Sequence, residues 1–275
     1  MPTDQSRLAA RRITIGYRDR IVSENLSLDI PDGRFTVIIG PNACGKSTLL
    51  RALARITKPS EGAVFLDGMA IATYGTREVA RRLGMLPQFS AAPDGILVAE
   101  LVARGRFPHH GLMRRWSSQD QTAVTEALAA TGITDLADRP VDALSGGQRQ
   151  RVWIALVLAQ QTPLLLLDEP TSFLDIAHQI EVLELMRRLN RHHGRTLVAV
   201  LHDLNQAFRY ADHVVALRDG RIIAQGTPAA LVSADFVEQV FGLRCCIITD
   251  PVSGAPLVIP LGEAPSPVSD DFAAG

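Results

Sequence analysis

The distribution of apolar residues along the chain predicts a buried parallel β-sheet. Continuous apolar runs occupy 35–40 (FTVIIG), 164–167 (LLLL) and 196–201 (TLVAVL), and such runs are typical of strands that are covered on both faces. Leucines at helical spacing within 49–56 follow the first run, and the helix-like segment 180–189 separates the other two. Strands that alternate with helices indicate an α/β fold.

Two regions depart from this pattern and predict antiparallel strands. Apolar and polar residues alternate through 11–30, which favours short paired strands. Asp67-Gly68 and Asp219-Gly220 are dipeptides that form tight hairpin turns, and each lies between two apolar segments. An antiparallel edge is therefore expected beside the α/β core.

Residues 90–160 have a mostly helical pattern and predict a helical subdomain. Ser118 and Gln121 form a capping box at the expected start of one helix, which ends at Gly132. The C-terminal residues 249–275 are rich in proline and glycine, and we expect them to form a partly mobile tail.

Composition excludes some functions. Hydrophobic residues make up 47% of the 275 residues, which is enough for a large core, and the formal net charge of −1 argues against a general nucleic-acid binder. No apolar run reaches the roughly 18 residues that span a bilayer, so a role at a membrane requires partner subunits. Cys44, Cys245 and Cys246 lack the regular spacing of a disulfide framework and are typical of a reduced chain.

The segment GPNACGKST at 40–48 predicts a phosphate-binding loop. Gly40, Gly45, Lys46 and Ser47 fit the pattern G-x-x-x-x-G-K-[ST] between a strand and a helix. In such a loop backbone N–H groups surround the phosphates, the lysine neutralises their charge and the serine reaches Mg²⁺. We therefore expect a nucleotide to contact Gly40, Pro41, Asn42, Ala43, Cys44, Gly45, Lys46, Ser47 and Thr48.

Three further side chains near these phosphates carry predicted chemistry. Asp168 and Glu169 directly follow the LLLL strand, where Asp168 can hold Mg²⁺ through water and Glu169 can orient and deprotonate an attacking water. Cys44 lies at a helix N-terminus beside Lys46, which favours a lowered thiol pKa. We expect a maleimide to modify Cys44 and Mg·ATP to protect it.

A second glycine-rich turn, LSGGQRQR at 144–151, comes just before an apolar segment that can be helical. A turn of this kind at the start of a helix exposes backbone N–H groups that suit an anion. A single nucleotide pocket does not need two such turns, so the second one requires another explanation.

The segments GPNACGKST, LSGGQRQR, LLLLDEPTSFLD and LHD, in this order, resemble the motifs of the ATP-binding cassette (ABC) family. The resemblance covers about residues 8–245 and implies one ABC ATPase domain at 8–248. Its implied fold is a P-loop NTPase core with a mostly parallel, RecA-like sheet, an antiparallel β edge and a helical subdomain. Its implied activity is Mg²⁺-dependent ATP hydrolysis. In this family two cassettes pack head to tail, so that each LSGGQ turn caps the γ-phosphate bound by the other copy.

The resemblance also implies roles for individual residues. Tyr17 would stack on adenine, and Gln88 would meet both Mg²⁺ and the transport partner. The implied metal ligands are Ser47, Gln88 and Asp168, and the implied catalytic residues are Glu169, His202 and Lys46. The residues implied to reach the other copy are Ser145, Gly146, Gly147, Gln148 and Asp175. The family usually has glycine where this chain has Ala43, and alanine costs about 1 kcal/mol if that position needs a positive φ.

A transporter motor subunit fits the sequence best among cassette proteins. Chromosome-maintenance and repair ATPases insert a long coiled coil between the phosphate loop and LSGGQ, where this chain has only about a hundred residues. Ribosome-associated factors carry two cassettes, whereas each motif occurs once here. An iron–sulfur assembly cassette stays open as an alternative.

The predicted cargo rests on a further resemblance. ARRLGMLPQ and ILVAELVARGRFPHHG resemble the ATPases of bacterial iron–siderophore importers, with cobalamin and haem importers as alternatives. This implies permease subunits docked near Gln88, a second copy of the chain and, indirectly, a periplasmic or surface substrate-binding protein, with no nucleic acid. The implied location is the cytoplasmic face of the inner membrane, as a peripheral subunit.

Overall fold

The computed structural model describes residues 6–17, 20–88, 91–110, 116–172 and 174–262. The strands are β1 (Leu8–Tyr17), β2 (Arg20–Ile30), β3 (Phe35–Ile39), β4 (Glu61–Leu66), β5 (Met69–Ala70), β6 (Leu83–Leu86), β7 (Leu164–Asp168), β8 (Thr196–Val200), β9 (His213–Arg218), β10 (Arg221–Gly226), β11 (Cys245–Thr249) and β12 (Pro256–Pro260). The helices are α1 (Lys46–Leu53), α2 (Thr76–Arg82), α3 (Val98–Ala103), α4 (Ser118–Ala130), α5 (Gly146–Ala159), α6 (Ile176–His193), α7 (Leu204–Tyr210), α8 (Pro228–Leu231) and α9 (Ala234–Phe241).

The main sheet has six strands in the order β10-β9-β3-β8-β7-β6. Neighbours from β9 to β6 pair in parallel, and β10 pairs antiparallel with β9 across the Asp219-Gly220 turn. A second sheet, in the order β2-β1-β4-β5, pairs antiparallel throughout, and the Asp67-Gly68 turn joins β4 to β5. The mostly parallel core, the antiparallel edge and both hairpin turns are as predicted.

The central strands are apolar throughout because each lies between two cores. All five residues of β3, β7 and β8 are buried. In β3, Phe35, Val37 and Ile39 contribute to a core that includes side chains of α3, α4 and α5. Ile38 points the other way, into a core built from the antiparallel sheet and α1. This alternation follows from the two-residue period of a strand.

Helices α3, α4 and α5 occupy most of the segment predicted to be a helical subdomain, but the predicted capping box is displaced by one residue. Ser117, not Ser118, is the N-cap of α4: its Oγ accepts a hydrogen bond from the N–H of Asp120, whose carboxylate accepts one from the N–H of Ser117. Ser117 has the extended backbone that an N-cap needs, at φ −116° and ψ 164°. Asp120, rather than Gln121, is therefore the partner.

The predicted boundary at 248 falls inside a folded element. Strands β11 and β12 form an antiparallel hairpin, and Val258 is only 4% exposed where the hairpin packs beside α7. Residues 249–262 are therefore part of the folded domain, and the remainder of the predicted tail lies outside the described residues. None of the helices described is both long and apolar enough to cross a membrane.

Candidate active site

A cleft of about 680 Å³ opens where the carboxyl ends of β3, β7 and β8 meet. Open α/β sheets commonly bind ligands at this edge. The cleft brings together many of the residues predicted for the nucleotide site: Tyr17, Asn42, Ala43, Gly45, Lys46, Ser47, Thr48, Gln88, Glu169 and His202. It is also lined by residues that no sequence motif indicated, namely Arg20, Ile21, Val22, Asp219 and Gly220.

The loop between β3 and α1 needs glycine at both ends. Gly40 has φ +151°, and an added Cβ would lie 2.1 Å from the carbonyl oxygen of Leu217. Gly45 has φ +106° at the N-cap of α1, and its added Cβ would lie 2.8 Å from a methyl group of Val22. The Nζ of Lys46 donates to the carbonyl oxygens of Gly40 and Pro41, at 2.8 Å each. These acceptors are neutral, so they orient the ammonium group without neutralising its charge.

The prediction for Cys44 is wrong in its chemistry. The residue is only 5% exposed, and its Sγ faces Gly40. Burial raises the pKa of the thiol, and this effect outweighs the lowering by the nearby Lys46 charge. The sequence placed Cys44 correctly at the helix N-terminus, but it did not reveal that the side chain points into the core. A thiol with these properties is a poor nucleophile.

Ser47 and Asp168 form a polar pair beneath the phosphate loop. The Oγ of Ser47 donates to Oδ1 of Asp168 at 2.7 Å, and Asp168 is fully buried. Within the part of the chain that the structure describes, Oδ2 of Asp168 has no hydrogen-bond partner. Burial raises the pKa of this carboxyl group. The hydrogen bond from Ser47 lowers it, but by less. A buried oxygen without a donor is unfavourable, and together with the serine hydroxyl it offers the oxygen ligands that Mg²⁺ prefers.

Glu169 is the centre of a second polar group at the end of β7. Its carboxylate lies 2.6 Å from Nε2 of His202 and accepts hydrogen bonds from Nε2 of Gln88 at 2.7 Å and Oγ of Ser172 at 2.9 Å. Burial raises the pKa of Glu169, but the contacts with His202 and Ser172 outweigh it and hold the pKa below its ordinary value. Its backbone has φ 54°, in the left-handed region, which is uncommon for a residue other than glycine.

The LSGGQ turn belongs to a different surface. The predicted residues there, Ser145, Gly146, Gly147, Gln148 and Asp175, do not line the cleft described above. Ser145 is the exposed N-cap of α5, in a capping box with Gln148. A Cβ added at Gly147 would lie 3.5 Å from Leu174 and 3.9 Å from His178, so the turn lies beside the segment that carries Asp175. The two glycine-rich turns of the chain therefore lie at different surfaces.

Comparison with known proteins gives the family. A sequence-family model described as ABC transporter matches residues 23–172, more than half of the chain. The chain belongs to the ABC transporter family. Ferric enterobactin transport ATP-binding protein FepC of Escherichia coli strain K12 is 59% identical over 267 residues, which cover 97% of this chain and 98% of that protein.

Two solved structures have the same fold. A metal-chelate type ABC transporter in an inward-facing conformation matches with a TM-score of 0.79 at 30% identity, over 93% of this chain and 97% of that chain. A dimeric bacterial ABC transporter cassette matches with a TM-score of 0.71 at 28% identity, over 80% and 98%. The predicted ABC ATPase fold and the predicted class, an ATPase subunit of a transporter, are confirmed.

Contacts made only in the folded chain explain why some site residues of this ABC ATPase could not be found from its sequence. Asp219-Gly220 is predicted only as a hairpin turn, yet the N–H of Gly220 donates to the carbonyl oxygen of Cys44 at 3.2 Å. Ser172 lies three residues after Glu169 within LLLLDEPTSFLD, and only the hydrogen bond from its Oγ to Glu169 assigns it to the site. These contacts join segments that are distant along the chain or depend on the local turn geometry.

Proposed function

We propose that this ABC ATPase is the motor subunit of a bacterial importer for ferric siderophores, bound as a peripheral subunit at the cytoplasmic face of the inner membrane. The proposal that the subunit hydrolyses ATP is supported by the cleft in which the phosphate loop faces Glu169 and His202. The cargo is inferred from the similarity to FepC, which extends over nearly the full length of both chains.

In the proposed mechanism each side chain acts where the structure positions it. The loop N–H groups and Lys46 bind the β- and γ-phosphates of ATP, while Tyr17, 47% exposed at the cleft, stacks on adenine. Ser47 and Asp168, with Gln88, would hold Mg²⁺, which neutralises phosphate charge when bound. Glu169, held in place by its contacts with Gln88, Ser172 and His202, accepts a proton from the attacking water. His202 orients the carboxylate of Glu169 and lies near the γ-phosphate.

We infer that the second glycine-rich turn binds ATP held by another copy. Support comes from the separation of Ser145 and Gly147 from the cleft and from the similarity to a dimeric cassette. The first N–H groups of a helix such as α5 also have no partner within the helix and can bind an anion. ATP supplies the phosphate that joins the two surfaces and ADP lacks it. ATP therefore closes the head-to-tail dimer and hydrolysis opens it.

We infer that a permease subunit docks on the groove between α2 and the turn at 104–109. The groove holds about 410 Å³ and is lined mainly by apolar surface from Ala80, Phe107 and Pro108. Phe107 is 62% exposed, as expected for a residue that contacts a partner. In contrast, Arg106 is buried and pairs with Asp120, so this part of RGRFPH has a structural role rather than a contact role.

The cargo is tested by deletion of the gene from its host. We expect poor growth under iron limitation with a ferric siderophore as the iron source, and recovery in excess free iron. Uptake of radiolabelled ferric siderophore should fall while its binding at the cell surface persists, because capture precedes the ATPase. Wild type and Glu126→Gln, an exposed change on α4, should restore uptake, whereas Glu169→Gln should not.

Three other outcomes would contradict the cargo assignment. Loss of cobalamin or haem uptake with normal siderophore uptake would keep the importer but change its cargo. Loss of iron–sulfur enzyme activity with all uptake intact would favour an assembly cassette. Normal uptake of every ferric siderophore, in a host from which other importer ATPases of this kind have also been deleted, would overturn the siderophore proposal.

A further inference from the structure

The C-terminal hairpin β11–β12 contacts the helix that follows His202. This hairpin lies outside the residues that match the ABC transporter family model, 23–172. Helix α7 begins at Leu204, two residues after His202. Its second residue, Asn205, forms a hydrogen bond to Val258 of β12. The hairpin is therefore attached to the segment that presents a proposed catalytic side chain.

The side-chain amide of Asn205 forms two hydrogen bonds with the backbone of Val258, one as donor and one as acceptor. Oδ1 of Asn205 accepts from the backbone N–H of Val258 at 2.7 Å, and Nδ2 of Asn205 donates to the carbonyl oxygen of Val258 at 3.2 Å. The side-chain amide thus satisfies the backbone of β12 on the edge that faces α7, as a neighbouring strand would. Val258 is 4% exposed, so removal of the amide leaves a peptide group with little access to water.

A second contact holds the same helix from another side. Nε2 of Gln206 donates to Oε1 of Gln179 at 2.7 Å, which joins α7 to α6. Asp203 caps α7 by accepting from the N–H of Gln206 at 2.7 Å. The imidazole of His202 is itself 44% exposed and lies 2.6 Å from Glu169. An exposed ring is held by few neighbours, so its direction depends on the backbone of β8 and α7.

We propose that Asn205 is a positioning residue of the ATPase: through it, the C-terminal hairpin fixes α7 and thereby the direction of His202 toward Glu169. The proposal rests on the proposed role of His202 in hydrolysis. Without the Asn205 amide, buried Ala207, Phe208 and Tyr210 still hold the body of α7. Its first turn, next to His202, then keeps the contact with Gln179 alone, and the imidazole loses its defined position. ATP binding at the phosphate loop, on the other side of the cleft, is unaffected.

The first test compares two asparagines in the full-length chain. Asn205→Ala should lower kcat for ATP hydrolysis about tenfold and leave KM for ATP within about twofold. Asn190→Ala is the matched control, because its Nδ2 also holds backbone carbonyls, those of Gly33 and Arg195 at 2.9 and 2.8 Å, but at the opposite edge of the sheet. It should lower thermal stability to a similar extent without the fall in kcat. Equal kcat in the two variants would overturn the proposal.

The second test separates positioning from a general structural effect. If Asn205 acts through His202, Asn205→Ala should lower kcat little further in a His202→Ala chain. Multiplicative losses would overturn the inference and leave the role of His202 intact, whereas normal kcat in His202→Ala alone would overturn both. Asn205→Asp keeps the acceptor for the N–H of Val258 and serves in the same cycle if Asn205→Ala does not fold.

Discussion

Ala43 lies where the resemblance to the ABC motifs implies a glycine, and its backbone is strained. Its φ is 59°, in the left-handed region, where an L-residue costs roughly 1–2 kcal/mol. Glycine avoids that strain, but its greater conformational freedom in the unfolded chain lowers the free energy of unfolding by roughly 0.5–1 kcal/mol. Ala43 is exposed, so the methyl group contributes little burial. We therefore expect Ala43→Gly to stabilise the protein by about 0.75 kcal/mol, the difference between the midpoints of these ranges.

The assay is denaturation without nucleotide, because bound ATP would add its own stabilisation. A gain of this size corresponds to a rise in Tm of about 1–4 °C for a domain of this length. Ala129→Gly is the control: Ala129 is exposed on helix α4, where glycine should destabilise by up to about 1 kcal/mol. Loss of stability in Ala43→Gly similar to that in the control would refute the reasoning, because it would mean that Ala43 carries no relievable strain.

Three further predictions concern the ATP site. Glu169→Gln should bind Mg·ATP but turn over about 10²–10⁴-fold more slowly if it is the general base, and ATP should shift it to twice the monomer mass in gel filtration; near-normal turnover would remove it from that role. Ser145→Arg should bind ATP yet fail to dimerise, and a mixture with Lys46→Ala should regain ATPase activity through one intact composite site, whereas loss of monomer ATP binding would show that the turn serves its own chain. A maleimide should modify exposed Cys246 and spare buried Cys44, with ATPase activity unchanged; inactivation that disappears in Cys44→Ser would contradict the burial argument.

The local sequence was sufficient to predict the phosphate loop and the acids at the end of β7. Gly40 and Gly45 are needed where the backbone adopts positive φ and approaches its neighbours, and a run of four leucines forms a strand buried on both faces. The neighbours that exclude a Cβ at these glycines, Leu217 and Val22, are distant in sequence. The glycine and leucine patterns are themselves local, however, so they can be recognised without knowledge of the rest of the chain. The same holds for the Asp67-Gly68 and Asp219-Gly220 turns.

Tertiary packing decided where side chains point and which distant groups meet. Cys44 turns into the core, which reverses the expected shift of its pKa, and Glu169 meets Gln88, 81 residues away. Hydrogen bonds between Asn205 and Val258 hold part of the segment that was predicted to be a tail against α7. Burial and long-range hydrogen bonds arise only when the two cores close around the sheet, so no local pattern records them. The chain's motifs determine its chemistry, and the closure of these cores determines how that chemistry is oriented.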